Sequence, residues 1–403
     1  MEFGTGNTGF MLMATALVLL MTPGLALFYG GLVGRKNVVA VMMHSFVSLG
    51  LSTILWYAVG FSLSFSGDVG GVIGNLDWAF LNGVSISDAW SGDGSIPIYL
   101  FFIYQMMFAV ITPALITGAF TNRIRFGPYL AFLGLWQLFV YYPLAHMVWG
   151  GGLLADWGVL DFAGGIVVHA SAGMAALGAV FYLGRRREPE RSPHNIPFVA
   201  LGAALLWFGW FGFNAGSELA VDEVTIVAFI NTHLAAAVAA MTWMVIEWRR
   251  EGQPKLVGFL TGAVAGLATI TPAAGFVGPG SAAIIGLAAG AICYSAVQVK
   301  ERMNWDDALD VWAVHGVGGT IGIIMLGMFA SLSVNPAGAD GLFNGGSAFF
   351  GKQIAAVLGV GIYAMFITYA MLAAINVFSP VKTSQSDEET GLDAALHGEP
   401  AYE

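Results

Sequence analysis

The sequence predicts an all-α integral membrane protein: eleven transmembrane helices, built as two five-helix inverted repeats plus an eleventh helix, with the N-terminus out and the C-terminus in. Three observations predict it. Hydrophobic residues fill 57% of 403 positions and charged residues only 10%, which a soluble globular chain does not do. Apolar runs of about 20 residues, enough to cross a hydrocarbon core of roughly 30 Å, recur along the whole chain. They are continuous rather than alternating, so they read as helices and not as barrel strands. Finally, the basic residues gather in every second connection, as the positive-inside rule requires.

In chain order, the opening MEFGTGNTGF has no Lys or Arg, and the first basic residue is Arg35. A cleaved signal peptide needs a positive n-region, so residues 9–34 are expected to persist as the first helix. Further spans are expected at 38–65, 97–121, 126–147, 160–184, 196–217, 224–248, 256–277, 280–298, 309–332 and 348–378. Alternate connections hold Arg35 and Lys36; Arg123 and Arg125; Arg185, Arg186, Arg187 and Arg191; Arg249, Arg250 and Lys255; Lys300 and Arg302. Lys382 follows in the tail, and of fifteen basic residues only Lys352 falls on the other side. The opposite connections are acidic or neutral, with Asp68, Asp77, Asp88 and Asp93 in one and Glu218, Asp222 and Glu223 in another. An odd number of spans then sets the termini on opposite sides.

Two segments resemble each other across the chain. LDFAGGIVVHASAGMAALGA (160–179) and LDVWAVHGVGGTIGIIMLG (309–327) both begin Leu-Asp and both carry Val-His among glycines. LFYGG (27–31) and GFNAG (212–216) match more weakly on the first and sixth spans. Five helices per copy force opposite orientations, the layout of transporters and channels with a midplane site at the repeat interface. The resulting division is 1–184, first repeat; 185–332, second repeat; 333–378, outer loop and last helix; 379–403, cytosolic tail.

An ionisable side chain inside the membrane is a functional candidate by default. His169 and His315 qualify, each on a helix whose small residues permit close approach, so they are expected to meet as a neutral pair sharing one N–H. His44, His146, His194 and His233 read as packing residues. Tyr104 and Phe108 lie at i, i+4 in YQMMFA; Trp149 ends HMVW; Phe213 and Ser217 lie at i, i+4 in GWFGFNAGS. All are expected near the outer side, where a Trp face, a Tyr ring and a hydroxyl could hold a small cation. Trp149 alone would equally fit an interfacial belt, and Phe108 and Phe213 alone would fit core packing. Asp161 and Asp310 each suit the N-cap of a histidine-bearing helix.

Other chemistry is thinly represented. A single Cys293 excludes an intrachain disulfide and any multi-cysteine metal site. No Walker motif or G-x-G-x-x-G opens a soluble βαβ unit, and nothing points to nucleic acid. A bis-histidine haem or metal site would need both histidines and finds no aqueous redox domain beside it. A sensor, with signalling primary and conduction secondary, would need a separate output partner, because only about 25 polar residues follow the last span.

With these residues in view, the chain resembles the ammonium transporter family (Amt/Mep/Rh), in its Amt-type microbial form. FYGGLV (28–33), QMMFA, RIRF (123–126), HMVWGGGLLA (146–155), LDFAGGIVVH (160–169), WFGFNAGS (210–217), TPAAGFV (271–277), VHGVGG (314–319) and the tail GLDAALHGEPAY (391–402) carry the resemblance. It implies a homotrimer in the cell (plasma) membrane, surrounded by lipid, with one pore per subunit and neither enzymatic activity nor a cofactor or metal. It implies NH₄⁺ recruitment by Trp149, Ser217 and Tyr104, supported by Asp161, with deprotonation there, and methylammonium as an alternative substrate. It further implies a Phe108/Phe213 gate and a hydrophobic pore lined by His169 and His315 that passes NH₃, with or without separate proton transfer. Tyr104 departs from the Phe that bacterial relatives often carry. The tail, through Gly391, Leu392, Asp393, His397, Gly398, Glu399 and Tyr402, is implied to couple subunits and to answer a PII-type nitrogen-regulatory protein at the cytosolic face. Its Glu388, Glu389, Asp393 and Glu399 are expected to pair with arginines at 185–187.

Overall fold

In the computed structural model the described residues are 3–90, 96–187, 189 and 192–402; Asp93 and Arg191, which entered the charge argument, lie outside them. The described chain is helical, and its only β features are isolated bridges. Among the described residues ten helices are long and apolar enough to cross a membrane: α1 (Thr5–Leu32), α2 (Val38–Phe65), α3 (Ile98–Phe120), α4 (Phe126–Asp156), α5 (Gly165–Leu183), α6 (Ile196–Glu218), α7 (Glu223–Glu251), α9 (Pro279–Arg302), α10 (Trp312–Phe329) and α11 (Ser347–Phe378). Between α7 and α9 lies a shorter apolar helix, α8 (Leu256–Ile270), of 15 residues. The sequence pattern runs apolar to 277, but the helix stops earlier because Pro272 cannot continue it, and 271–276 coil as turns. The chain is therefore a multi-pass membrane protein.

Glycine sets how closely the helices cross. Along α1 and α6, a Cβ at Gly202 would lie 2.3 Å from the Phe28 nitrogen, and one at Gly212 would lie 2.7 Å from the Ala14 carbonyl. The closest backbone approach between helices, among the described residues, joins α5 to α10, where a Cβ at Gly173 would stand 1.9 Å from the Gly316 nitrogen. Nearby, a Cβ at Gly319 would press on the His169 Cβ at 2.8 Å. Such small-residue seams let backbones touch where no hydrophobic force separates helix from lipid. The α5–α10 seam is what brings the two histidines together.

On the basic side, Arg123 of RIRF is fully buried. Its guanidinium donates to the carbonyls of Ala119, Gly184 and Asp306 and faces the Asp306 carboxylate at 3.4 Å. Arg186 grips the same carboxylate at 2.7 Å. Burial pushes the Asp306 carboxyl up, but the hydrogen bond from Arg186 and the Arg123 charge hold it below the usual range. One residue thus ties the ends of α3 and α5 to the loop before α10.

The tail folds onto this face. A short helix, α12 (Gln385–Thr390), opens with a capping box from Ser384 and Asp387. Leu392 is buried; its nitrogen donates to Asn37 Oδ1 (2.9 Å), and the Asp393 nitrogen donates to the Lys36 carbonyl (3.1 Å). The Asp393 carboxylate accepts from the Ala40 nitrogen (2.8 Å), satisfying an orphan donor in the first turn of α2. The expected carboxylate–arginine pairs do not form among the described residues: Glu388 takes the backbone N–H of Arg187, and Asp393 takes α2. Backbone donors at a helix start are fixed in place, whereas the exposed arginine side chains would have to be ordered. Beyond them, His397 sets its ring against Phe126 (5.2 Å), and Tyr402 bonds His194 Nε2 (2.9 Å) beneath the Arg35 guanidinium.

Candidate functional site

The two histidines sit in matching places. His169 lies in a π-helical turn, Gly165–Ala170, at the start of α5, and His315 in another, Trp312–Val317, at the start of α10. Wide turns of this kind collect at functional sites because they rotate one side chain out of register. Gly164 makes the first possible: its φ of 120° is open to glycine, and a Cβ there would meet the Val168 side chain at 2.5 Å. The rings lie nearly parallel with centroids 5.2 Å apart, and their Nδ1 atoms are 3.2 Å apart. One Nδ1 must carry the hydrogen and the other accept it, so the pair shares one proton along that contact. His169 Nε2 is buried without a partner.

Each histidine helix begins on an aspartate. Asp161 accepts four backbone N–H groups, from Gly164 (2.8 Å) and Gly165 (2.6 Å) on Oδ1, and from Ile166 (2.8 Å) and Val167 (3.2 Å) on Oδ2. That satisfies the orphan donors of a helix start and sets a negative charge on its positive end. The corresponding group for α10 is Asp307, whose carboxylate accepts from the Trp312 nitrogen (2.7 Å), and not Asp310 as the Leu-Asp repeat predicts. Asp310 has a left-handed backbone (φ 59°) and turns its carboxylate to Lys300, which also donates to the Asp307 carbonyl at 2.9 Å. Burial raises the Asp307 carboxyl to about 6, with the Lys300 charge opposing.

Above the histidines, an outer chamber of about 330 Å³ is lined by Phe108, Trp149, Asp161, Ser217 and Glu218, among others. Below, a cavity of about 220 Å³ runs from Phe213, His169 and His315 to Asp310. The rings of Phe108 and Phe213, one facing each space, meet with centroids 4.3 Å apart and form the partition. Trp149 donates from Nε1 to the Asp161 carbonyl (2.9 Å), which fixes its indole edge-on to Phe108. Tyr104 is placed differently from the expectation: it is fully buried and not on the chamber wall. Its hydroxyl lies 3.0 Å from the Gly212 carbonyl, 3.1 Å from the Phe213 carbonyl and 3.3 Å from Ser217 Oγ, so it braces the end of α6 from behind. Trp210, held by Thr271 Oγ1 at 2.9 Å, stacks on His169 at 5.5 Å.

A family model described as the Ammonium Transporter Family matches residues 9–402. The chain belongs to that family. An ammonium transporter of Bacillus subtilis is 47% identical over 99% of this chain and 98% of its own length. The ammonium transporter Amt1 of Archaeoglobus fulgidus is 44% identical over 98% and 99%. Among solved structures, Saccharomyces cerevisiae Mep2 superposes with a TM-score of 0.89 at 36% identity, covering 96% of this chain and 89% of Mep2. A structure described as a Sensor Amt Protein reaches 0.89 at 28% identity, over 97% and 98%. The protein is an ammonium transporter of a cell membrane, not an enzyme.

Two features escaped the sequence reading, Asp307 with Lys300 and the Trp210–Thr271 support. Trp210 lies within WFGFNAGS, one turn before Phe213, and that spacing is its signal. Among the packing histidines, His146 faces the Ser64 carbonyl (3.1 Å) and the Asp68 carboxylate (3.0 Å) with its two ring nitrogens, a structural role. His194 instead docks Tyr402 of the tail.

Proposed function

We propose that NH₄⁺ enters the outer chamber and rests against the Trp149 face with Ser217 Oγ as an acceptor, Tyr104 acting only through Ser217. It gives its proton there to solvent water in the chamber, with or without separate transfer of that proton inward, and NH₃ passes between Phe108 and Phe213, along His169 and His315, into the inner cavity. Asp161 shapes the site through its helix and through the carbonyl that holds Trp149; its carboxylate oxygens are already engaged. The observation that carries this reading is the buried histidine pair, Nδ1 to Nδ1 at 3.2 Å, directly under the aromatic partition. A bare cation in such surroundings faces a penalty of up to tens of kcal/mol, whereas ammonia does not. Methylammonium fits the same reading as a second substrate.

Cation–π attraction at Trp149 contributes about 0.5–2 kcal/mol. Trp149→Leu keeps bulk and removes the quadrupole, so the half-saturating ammonium concentration should rise roughly two- to thirtyfold. An unchanged value in a folded variant would exclude the aromatic site.

The eleven-span topology, with α8 crossing beside the ten longer helices and the termini on opposite sides, belongs to the same proposal. Its division is that of the sequence, inverted repeats at 1–184 and 185–332, and its support is the paired packing of α1 on α6 and of α5 on α10. A homotrimer in lipid, and a tail read by a PII-type protein, complete it. A sensing role is the second reading, favoured by the likeness to the Sensor Amt Protein. Negligible ammonium flux through purified protein that still binds ammonium would select it.

A further inference from the structure

The break that ends α8 has no part in the transport reading, yet it touches both histidine helices. Ile-Thr-Pro-Ala occurs twice in the chain, at 111–114 within α3 and at 270–273 where α8 stops. In each copy the threonine hydroxyl donates to the carbonyl four residues back, Thr112 to Phe108 and Thr271 to Leu267, both at 2.7 Å. With its one hydrogen committed there, Thr271 Oγ1 presents a lone pair to Trp210, whose Nε1 donates to it at 2.9 Å. The next residue wedges the break in place. A Cβ at Gly165, in the π-helical turn of His169, would meet the Pro272 ring at 2.5 Å, and one at Gly322 of α10 would meet it at 2.9 Å. Thr271 itself is fully buried and is not among the residues lining the inner cavity, whereas Trp210, Phe213 and His169 are. The Nδ1 contact with His315 leaves the His169 ring free to rock about that axis, so its faces must be held by something else. Trp210 lies against it at 24° with centroids 5.5 Å apart, Phe213 at 26° and 6.0 Å, and the two aromatic rings pack on each other at 5.5 Å. Ring stacking fixes a face but not the rotation of the indole within it; the N–H bond to Thr271 fixes the rotation.

We propose that Thr271 is a positioning residue for conduction: its hydroxyl sets the Trp210 indole, and the indole holds the His169 ring in the orientation along which ammonia passes. This rests on the reading that the histidine pair lines the path. A group displaced by about 1 Å from its working position can cost up to about a hundredfold in rate. The role lies below the aromatic partition, so it acts on the maximal rate and leaves capture in the outer chamber alone.

The test is uptake of labelled ammonium by proteoliposomes holding the full-length protein. Thr271→Val keeps the shape and deletes the hydroxyl; Trp210→Phe keeps a ring against His169 and deletes the N–H. Each should lower the maximal rate roughly tenfold with half-saturation unchanged. Thr271→Ser retains the hydroxyl and should run at the parent rate. Because Thr271→Val and Trp210→Phe remove one and the same bond, the double variant should be no slower than the slower single. Losses that multiply in the double variant, or a Thr271→Ser as slow as Thr271→Val, would reduce the threonine to packing and overturn the proposal. Should Thr271→Val not be recovered folded, an unchanged rate in Trp210→Phe overturns it alone. His169→Ala is measured alongside. If it lowers flux while Thr271→Val and Trp210→Phe match the parent, the Thr271 role is wrong and the pore reading stands. If all three match the parent, the pore reading itself falls.

Discussion

Single residues here hold backbone ends more often than they hold each other. Asp161 takes four N–H groups, Arg123 takes three carbonyls, and Asp393 takes an orphan donor of α2. In a thin polar layer beside lipid, an unsatisfied helix end is costly, so the few charges go where the backbone needs them. Asp306 shows what removal costs. Asp306→Asn leaves Arg123 buried with a weaker partner and should lower stability by about 3 kcal/mol, read as a loss of thermal stability in detergent. Its carboxyl is depressed in the folded state, so its contribution is present above the ordinary carboxylate value of about 3.8 and is lost as pH falls through the lower folded value. The parent should therefore lose stability on acidification below about pH 4 more steeply than Asp306→Asn. Parallel pH profiles of the two would contradict the assignment. At the proposed pore, His169→Ala should leave the protein folded and damage conduction or ammonium selectivity; unchanged flux and unchanged discrimination against K⁺ would remove the histidines from the mechanism.

At the scale of elements, the α5–α10 crossing decides the site. Its glycines bring two π-helical starts together, and a valine at Gly173 would drive a side chain into the Gly316 backbone. Gly173→Val should abolish recovery of folded protein, whereas Gly351→Val, on a glycine of α11 with no neighbour near its Cβ position, should be tolerated. Equal recovery of the two variants would mean the seam is looser than its geometry. These elements also show what a sequence discloses. The histidines were legible because each stands alone in an apolar, glycine-spaced segment that repeats, and their meeting followed from the small residues around them. Asp307 was not, because the Leu-Asp repeat pointed to Asp310, and only the left-handed turn there moves the capping role three residues back. Tyr104 reads as a chamber residue from the topology and the family resemblance, but neither gives the depth of a ring on its helix, and the ring lies behind Ser217. Hydropathy likewise ran past the end of α8, since Pro272 stops a helix without making the chain polar.

Across the whole molecule, the tail joins elements that lie far apart in the chain. The tail packs on the basic face, reaching α2 through Leu392 and Asp393 and the loop before α6 through Tyr402 and His194. Deleting 385–403 uncaps α2 and frees that loop, so the proposed trimer and substrate capture should survive while transport falls or loses its response to the proposed PII partner. A truncated protein that transports and responds like the full chain would leave the tail without a regulatory part. The central claim is that nitrogen crosses the aromatic partition as ammonia after the cation has given up its proton. Rubidium approaches ammonium in size and charge but has no proton to lose, so the decisive measurement is uptake of labelled ammonium and of rubidium by the same proteoliposomes. Saturable ammonium uptake with no protein-dependent rubidium uptake, even at large rubidium excess, is the predicted result; rubidium entering at a rate comparable to ammonium would contradict it.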